Sequence, residues 1–402
     1  MPKDLTPAIV PASGGALTTT PGTQRITTRM ADDLLAVAHS RERALAAQRR
    51  YRIGKYDFRE ADHAQIQRWA RMLGIGPEAV VEKLDGCIQE CAHGDEIEHT
   101  CFYVQNGSIV SLAWDFSKFP LTDWAWIDGL KIEKLGIIGS PPDNHLPPLP
   151  RSLIALFCMG CGLSRLDLVG VPMLEKLRCG ENKLTHLDLS PVPSLDELWC
   201  FDNKLSELEL TYTPGLVWLE CGGNELTQLN LACVEDLVFL ECGANRLTSL
   251  DITPLLALDV LWCAQNMLTE LDLSNSDLKG LDCGCNQLTH LDLASMPRLI
   301  SLDCSRNPLT DLDLTPVPGL TKLNCSWNQL SHLDLTPVSG LTTLDCSCNY
   351  LTDLDLTPVP GLTKLDCTCN HQLTDLDLTP VPRLTEELWC DLQVRLTGSP
   401  KI

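Results

Sequence analysis

The sequence predicts an α+β chain: a solenoid of about twelve 21-residue turns with parallel β ladders, preceded by a small helical N-terminal region. Three observations predict it. Cysteine recurs from Cys158 to Cys390 at a spacing of 21 residues, broken by one step of 20 and a last step of 23. Asparagine follows three residues later from Asn182 to Asn370, with Cys161 in that place in the first turn and Gln393 in the last. Each L-x-x-L-x-C-x-x-N segment alternates with a second, L-T-x-L-D-L, as in LTHLDL at 184–189. A fixed period of this length marks a stack of identical supersecondary units. One turn cannot bury its own leucines, but a dozen stacked turns can.

Residues 1–24, rich in Pro, Thr, Ala and Gly, read as a disordered tail. Three helices are expected next, over about 28–50, 59–73 and 77–92, the last with Pro77 in its first turn. The LGIGPEAV turn between the last two permits a helix-turn-helix; a small cap or docking module is the commoner use of such a hairpin. CFYVQNGSIVSLAWDF, 101–116, reads as a β-hairpin around a type I′ Asn106-Gly107 turn. LKIEKLGIIG, 130–139, alternates like a strand, and PPDNHLPPLP links it to the repeats. The expected division is a tail at 1–24, a helical module at 25–95, a cap at 96–152 and the repeat domain at 153–402. Within the repeats, connectors such as TPVPG suit tight corners. LTDLDLTPVPGLTKL at 309–323 recurs unchanged at 351–365, which points to duplication of a two-turn unit.

The L-x-x-L-x-C-x-x-N-x-L pattern over about 153–392 resembles the leucine-rich-repeat signature, and its short period with a second L-x-x-L-x-L resembles the 21-residue bacterial subclass. LPPLPRSLIALFCMGCGLSRLDL, 146–168, is also similar to the repeats of type III secreted effectors of the YopM and IpaH kind. The resemblance implies a protein-binding scaffold. The IpaH ligases carry a large catalytic domain after their repeats; here ten residues follow the last repeat strand, so that activity is not expected.

In the consensus the Leu, Cys and Asn columns all face inward. The column cysteines are then small apolar fillers. Adjacent rungs stand about 4.8 Å apart, more than the Cβ separation of a disulfide. Cys285, Cys348 and Cys369 fall two residues beyond the column, where other turns carry Glu181, Arg306 or Trp327; that place is expected to face solvent, and no metal site and no cofactor are expected. The asparagine amides are expected to satisfy backbone groups freed at each turn.

The variable strand positions carry the functional expectation. Trp199, Trp218, Phe239 and Trp262 lie on four successive turns, with Glu220 and Glu241 among them and an acidic strip from Asp282 and Asp303 onward. All are expected to project from the outer, concave face of the sheet. Exposed tryptophans are costly in a mere scaffold and are enriched at interface hot spots. The Asp of L-D-L, on the other side, is expected to keep the surface soluble and to resist edge association.

The chain carries a formal charge of −22, unevenly spread. Residues 1–100 hold 13 basic and 14 acidic side chains, which leaves 18 and 39, a net of −21, for 101–402. Such a surface repels phosphate backbones and favours a basic protein partner, so nucleic acid is not expected at the repeats. P-loop, G-x-S-x-G and H-E-x-x-H motifs are absent, and no enzymatic activity is expected. No apolar run is long enough to span a membrane and no secretory h-region opens the chain. Twenty cysteines then suggest a reducing, cytoplasmic setting. The expected function is a protein-binding scaffold. The alternative is an injected bacterial effector, delivered to a host cell without a classical signal peptide, with a separate activity in residues 1–150.

Overall fold

The computed structural model describes residues 50–85, 102–116, 130–146, 148–274, 276–385 and 387–398. The expected tail at 1–24 lies outside these residues, as do the expected 28–50 helix up to its last residue and the end of the third helix.

A short antiparallel hairpin, β1 (Tyr51–Ile53) and β2 (Tyr56–Phe58), comes first. Three-residue strands are too short to show a period, so the sequence pattern did not reveal it. Helix α1 (Glu60–Leu73) follows and ends at Gly74, whose φ of 65° closes the helix as a left-handed cap. Helix α2 (Pro77–Asp85) buries Val80, Val81 and Leu84. The pair is fastened to the sheet rather than left free. Asp62 of α1 is buried and accepts a hydrogen bond from the Ile109 amide at 2.8 Å. The rings of Trp69 and Trp114 meet at 5.3 Å. Asp85 accepts hydrogen bonds from both Tyr56 Oη and Lys55 Nζ at 2.6 Å.

Strands β3 (Tyr103–Gln105) and β4 (Ser108–Asp115) form the expected hairpin, with Asn106 and Gly107 at φ 52° and 80°. β4 then pairs in parallel with β5 (Lys134–Ile138), and β5 with β6 (Ala155–Phe157). From there each turn adds one three-residue strand in register, from β7 (Lys176–Arg178) through β16 (Lys364–Asp366) to β18 (Glu387–Trp389). The result is a single 15-stranded sheet in which leucine faces leucine on every repeat rung. The second segment of the turn differs from expectation. Among the described residues it forms a ladder only between β17 (Asp375–Asp377) and β19 (Arg395–Thr397). On the other turns it is extended chain with its leucines buried, as Leu184, Leu187 and Leu189 are. The reason lies in the asparagines. Lys204 N bonds to Leu184 O, but the Leu184 amide is taken by Asn203 Oδ1 at 2.9 Å, so one side chain stands in for a strand-to-strand bond.

That exchange repeats along the stack. Asn245 donates through Nδ2 to the carbonyls of Cys221, Cys242 and Gly243 at 3.0–3.1 Å and accepts from the Leu226 amide at 3.0 Å. Each asparagine therefore ties two turns together. The column cysteines from Cys158 to Cys367 are buried and free, packed as fillers.

Candidate functional site

The strand register fixes which side chains share the outer face. One row runs Arg178, Trp199, Glu220, Glu241, Trp262, Asp282, Asp303, and beside it run Glu197, Trp218, Phe239 and Val260. The four expected aromatics do fall together, but they are not four open anchors. Trp199 and Phe239 are only 7 % exposed, whereas Trp218 is 36 % and Trp262 46 % exposed. The cause is the rung spacing, which is close to the contact distance of aromatic rings. Trp218 stacks on Phe239 with centroids 4.0 Å apart and planes within 9°, and Trp262 meets Phe239 edge-on at 5.1 Å. Trp199 lies under the Arg178 guanidinium, 3.8 Å from its ring centre, and Arg178 is held by Glu197 at 2.6 Å. Phe239 and Trp199 are the base of the patch; Trp218 and Trp262 are its exposed faces.

The acids among them are also committed. Trp218 Nε1 donates to Glu220 Oε1 at 2.8 Å. Glu241 folds back over the chain and accepts from the Gly222 and Gly243 amides at 2.9 and 3.0 Å. Burial pushes its carboxyl up to about 7, with Glu220 and Asp202 adding to the rise, against the two amides that lower it. Asp282 accepts from the Gly284 amide and Asp303 from the Ser305 amide, and Asn324 donates to the other oxygen of Asp303. Asp345 and Asp366 do the same for Ser347 and Thr368. The acidic strip is thus a series of Asx turns, each leading into the tight turn two residues past the cysteine. The signal for these caps in the sequence is the recurrent D-C-S, D-C-T or D-C-G, visible only when neighbouring columns are taken together.

That tight turn holds a left-handed residue from Gly160 to Cys369, with φ between 48° and 63°. Glu181, Arg306, Trp327, Cys348 and Cys369 all occupy it, so Cys369 is exposed while Cys367 is buried, as the period implied. Among the described residues, no three His, Cys, Asp or Glu side chains converge as a metal ion would need. The L-D-L aspartates are likewise turn caps. Asp188, Asp313 and Asp355 each accept from the amide two residues on, at 2.8–2.9 Å.

No protein-family model matches the chain, and no curated protein matches it. Solved structures do. The functional domain of InlJ from Listeria monocytogenes, which includes a cysteine ladder, is 36% identical with a TM-score of 0.57; the match covers 62% of this chain and 60% of that one. This chain therefore spans only about 60% of the Listeria chain. YopM from Yersinia enterocolitica is 26% identical over 84% of this chain and 74% of its own, with a TM-score of 0.58. YopM from Yersinia pestis, described as a leucine-rich effector protein, is 26% identical over 67% and 81%, with a TM-score of 0.56. Among the described residues no helix is long and apolar enough to cross a membrane.

Proposed function

We propose that this chain, a leucine-rich-repeat protein of the bacterial 21-residue kind, is a non-enzymatic scaffold that binds a protein partner through the outer face of rungs β8 (Glu197–Trp199) to β13 (Ser301–Asp303). One observation carries the reading: Trp218 and Trp262 stay open to solvent on a base of Phe239 that fixes their orientation. Rigid, pre-oriented tryptophans contribute contact area with little ordering cost, which is the behaviour of interface hot spots. Glu220, Asp282 and Asp303 lie on the same row and favour a partner with basic side chains, while Glu241, its oxygens on two amides and its pKa raised to about 7, adds less charge at neutral pH. Affinity capture followed by mass spectrometry tests this. A protein recovered with the wild type and lost with Trp218→Ala plus Trp262→Ala, at unchanged melting temperature, supports the site. Equal recovery by both forms refutes it.

The likeness to YopM supports a second reading, delivery into a host cell as an effector. Fusion of a translocation reporter to the full chain, expressed in a type III-secreting bacterium, tests it; signal that persists when the secretion ATPase is deleted counts against it.

A further inference from the structure

A second feature lies away from the sheet face, along the tight turns at the C-terminal end. A groove of about 740 Å³ crosses four successive turns there. It is lined by Arg306, Trp327, Gln329, Tyr350, His371 and Gln372, and its lining contains no Asp or Glu, in a chain with 53 of them. The same positions on earlier turns carry ordinary solvated residues such as Glu181, Lys183, Asp202 and Lys204. Trp327 and Tyr350 are 54 % and 56 % exposed. Arg306 lies 4.9 Å from the Trp327 ring centre and steadies that side chain. Among the described residues, no side-chain hydrogen bond occupies Trp327 Nε1, Gln329, Tyr350 Oη or Gln372.

The wall is therefore aromatic and rich in donors, and no carboxylate in its lining attracts a basic ligand. A chain of prolines is the complementary object. It has carbonyl acceptors, no amide donors, and apolar rings that pack on aromatic faces. Its polyproline II form leaves every carbonyl unpaired. The spacing also agrees. Three residues of that helix advance about 9 Å, and two rungs of the solenoid about 9.6 Å. Gln329 and His371 share one column two turns apart and Gln372 follows His371, so side-chain donors recur along the groove at about that interval. We propose that this groove binds an uncharged proline-rich segment in the polyproline II conformation, with Trp327 and Tyr350 as the ring-packing walls and Arg306, Gln329 and Gln372 as carbonyl donors.

Fluorescence anisotropy with fluorescein-labelled decaproline, and a Gly-Ser peptide of equal length, tests this on the full chain. Decaproline is expected to bind at least about tenfold tighter than the Gly-Ser peptide, a difference of about 1.4 kcal/mol. Trp327→Ala and Tyr350→Ala are each expected to weaken it about fivefold or more, while Trp218→Ala plus Trp262→Ala leaves it unchanged. The altered residues are exposed, and a thermal melt of each variant checks that the fold is kept. Equal binding of the two peptides, wild-type affinity in both groove variants, or loss on the sheet-face variant overturns the proposal. Those results leave the sheet-face site to its own capture experiment.

Discussion

The carboxylate of Glu241 lies directly over Gly222, so that a methyl group on the Gly222 α-carbon would overlap both carboxylate oxygens. The glycine is there for the carboxylate's sake, and the carboxylate is there to hold two turn amides. Its position leaves it half-buried beside Glu220 and Asp202, with its pKa raised from 4.5 to about 7. A raised carboxyl pKa favours the folded state fully below about 4.5, and that contribution is lost as pH rises through about 7. Glu241→Gln removes the charge and keeps one acceptor. It is expected to stabilise the protein by about 1 kcal/mol at pH 8 and by nothing at pH 4. A tenfold change in acidity corresponds to about 1.4 kcal/mol, and lost hydrogen bonding offsets part of the gain. Denaturant melts at the two pH values measure this; an equal effect at both is the contrary result.

Gly222→Ala is expected to displace Glu241 and lower the melting temperature, and Gly222→Ala combined with Glu241→Ala to recover part of the loss. The two residues are in contact, so their effects should not add. Additive losses in a double-mutant cycle contradict this seating of the carboxylate on the glycine.

Asn245→Ala removes one hydrogen bond from each of three carbonyls, which keep Asn224, Asn266 and the Gly223 amide as donors, and leaves the Leu226 amide without its acceptor. A buried group left unpaired costs about 1–3 kcal/mol, so a loss in that range is expected in urea unfolding. Thr352→Ala on the exposed surface should stay within about 0.5 kcal/mol. A loss at Asn245 no larger than at Thr352 refutes the role assigned to the asparagine column.

Thiol labelling separates the two kinds of cysteine. Burial pushes Cys179 and Cys367 up to about 12 and leaves them without access to reagent. Cys369 is exposed. Among the cysteines from Cys158 to Cys390, a peptide map after brief alkylation of the native protein should find Cys369 modified first and the buried column members, Cys158 to Cys367, modified only in denaturant. Early modification of Cys263 or Cys304 is the opposite outcome.

The L-D-L aspartates predict acid sensitivity. Hydrogen bonds from the hydroxyl and then the amide of Thr315, Thr336 and Thr357 hold Asp313, Asp334 and Asp355 below the usual carboxylate range. Lowered pKa values contribute stability that is present above the unfolded value of 3.8 and is lost as pH falls below it through the lower folded values. Replacing all three by Asn is expected to flatten the fall of melting temperature between pH 5 and pH 3; an unchanged slope counts against the caps.

The period of 21 made the stacking, the inward cysteines, the solvent-facing Cys369 turn and the aromatic rungs legible in the sequence, because in-register repeats turn sequence columns into spatial rows. It did not show how deep a side chain lies within its row. Trp199 and Trp218 look alike as letters, yet Arg178 covers one and leaves the other open. The acidic column read as a free surface strip, whereas most of its oxygens cap turns. The L-x-x-L-x-L segments read as a second ladder, and an asparagine side chain took the place of the ladder bond.

The sequence by itself determined the architecture, since every turn repeats the same leucine, cysteine and asparagine demands and only one stack satisfies them all. The tertiary structure decided which variable residues remain available to a partner. Availability depends on what the neighbouring rungs place about 4.8 Å away, and that is a property of pairs of side chains in space, which no single column of the sequence contains.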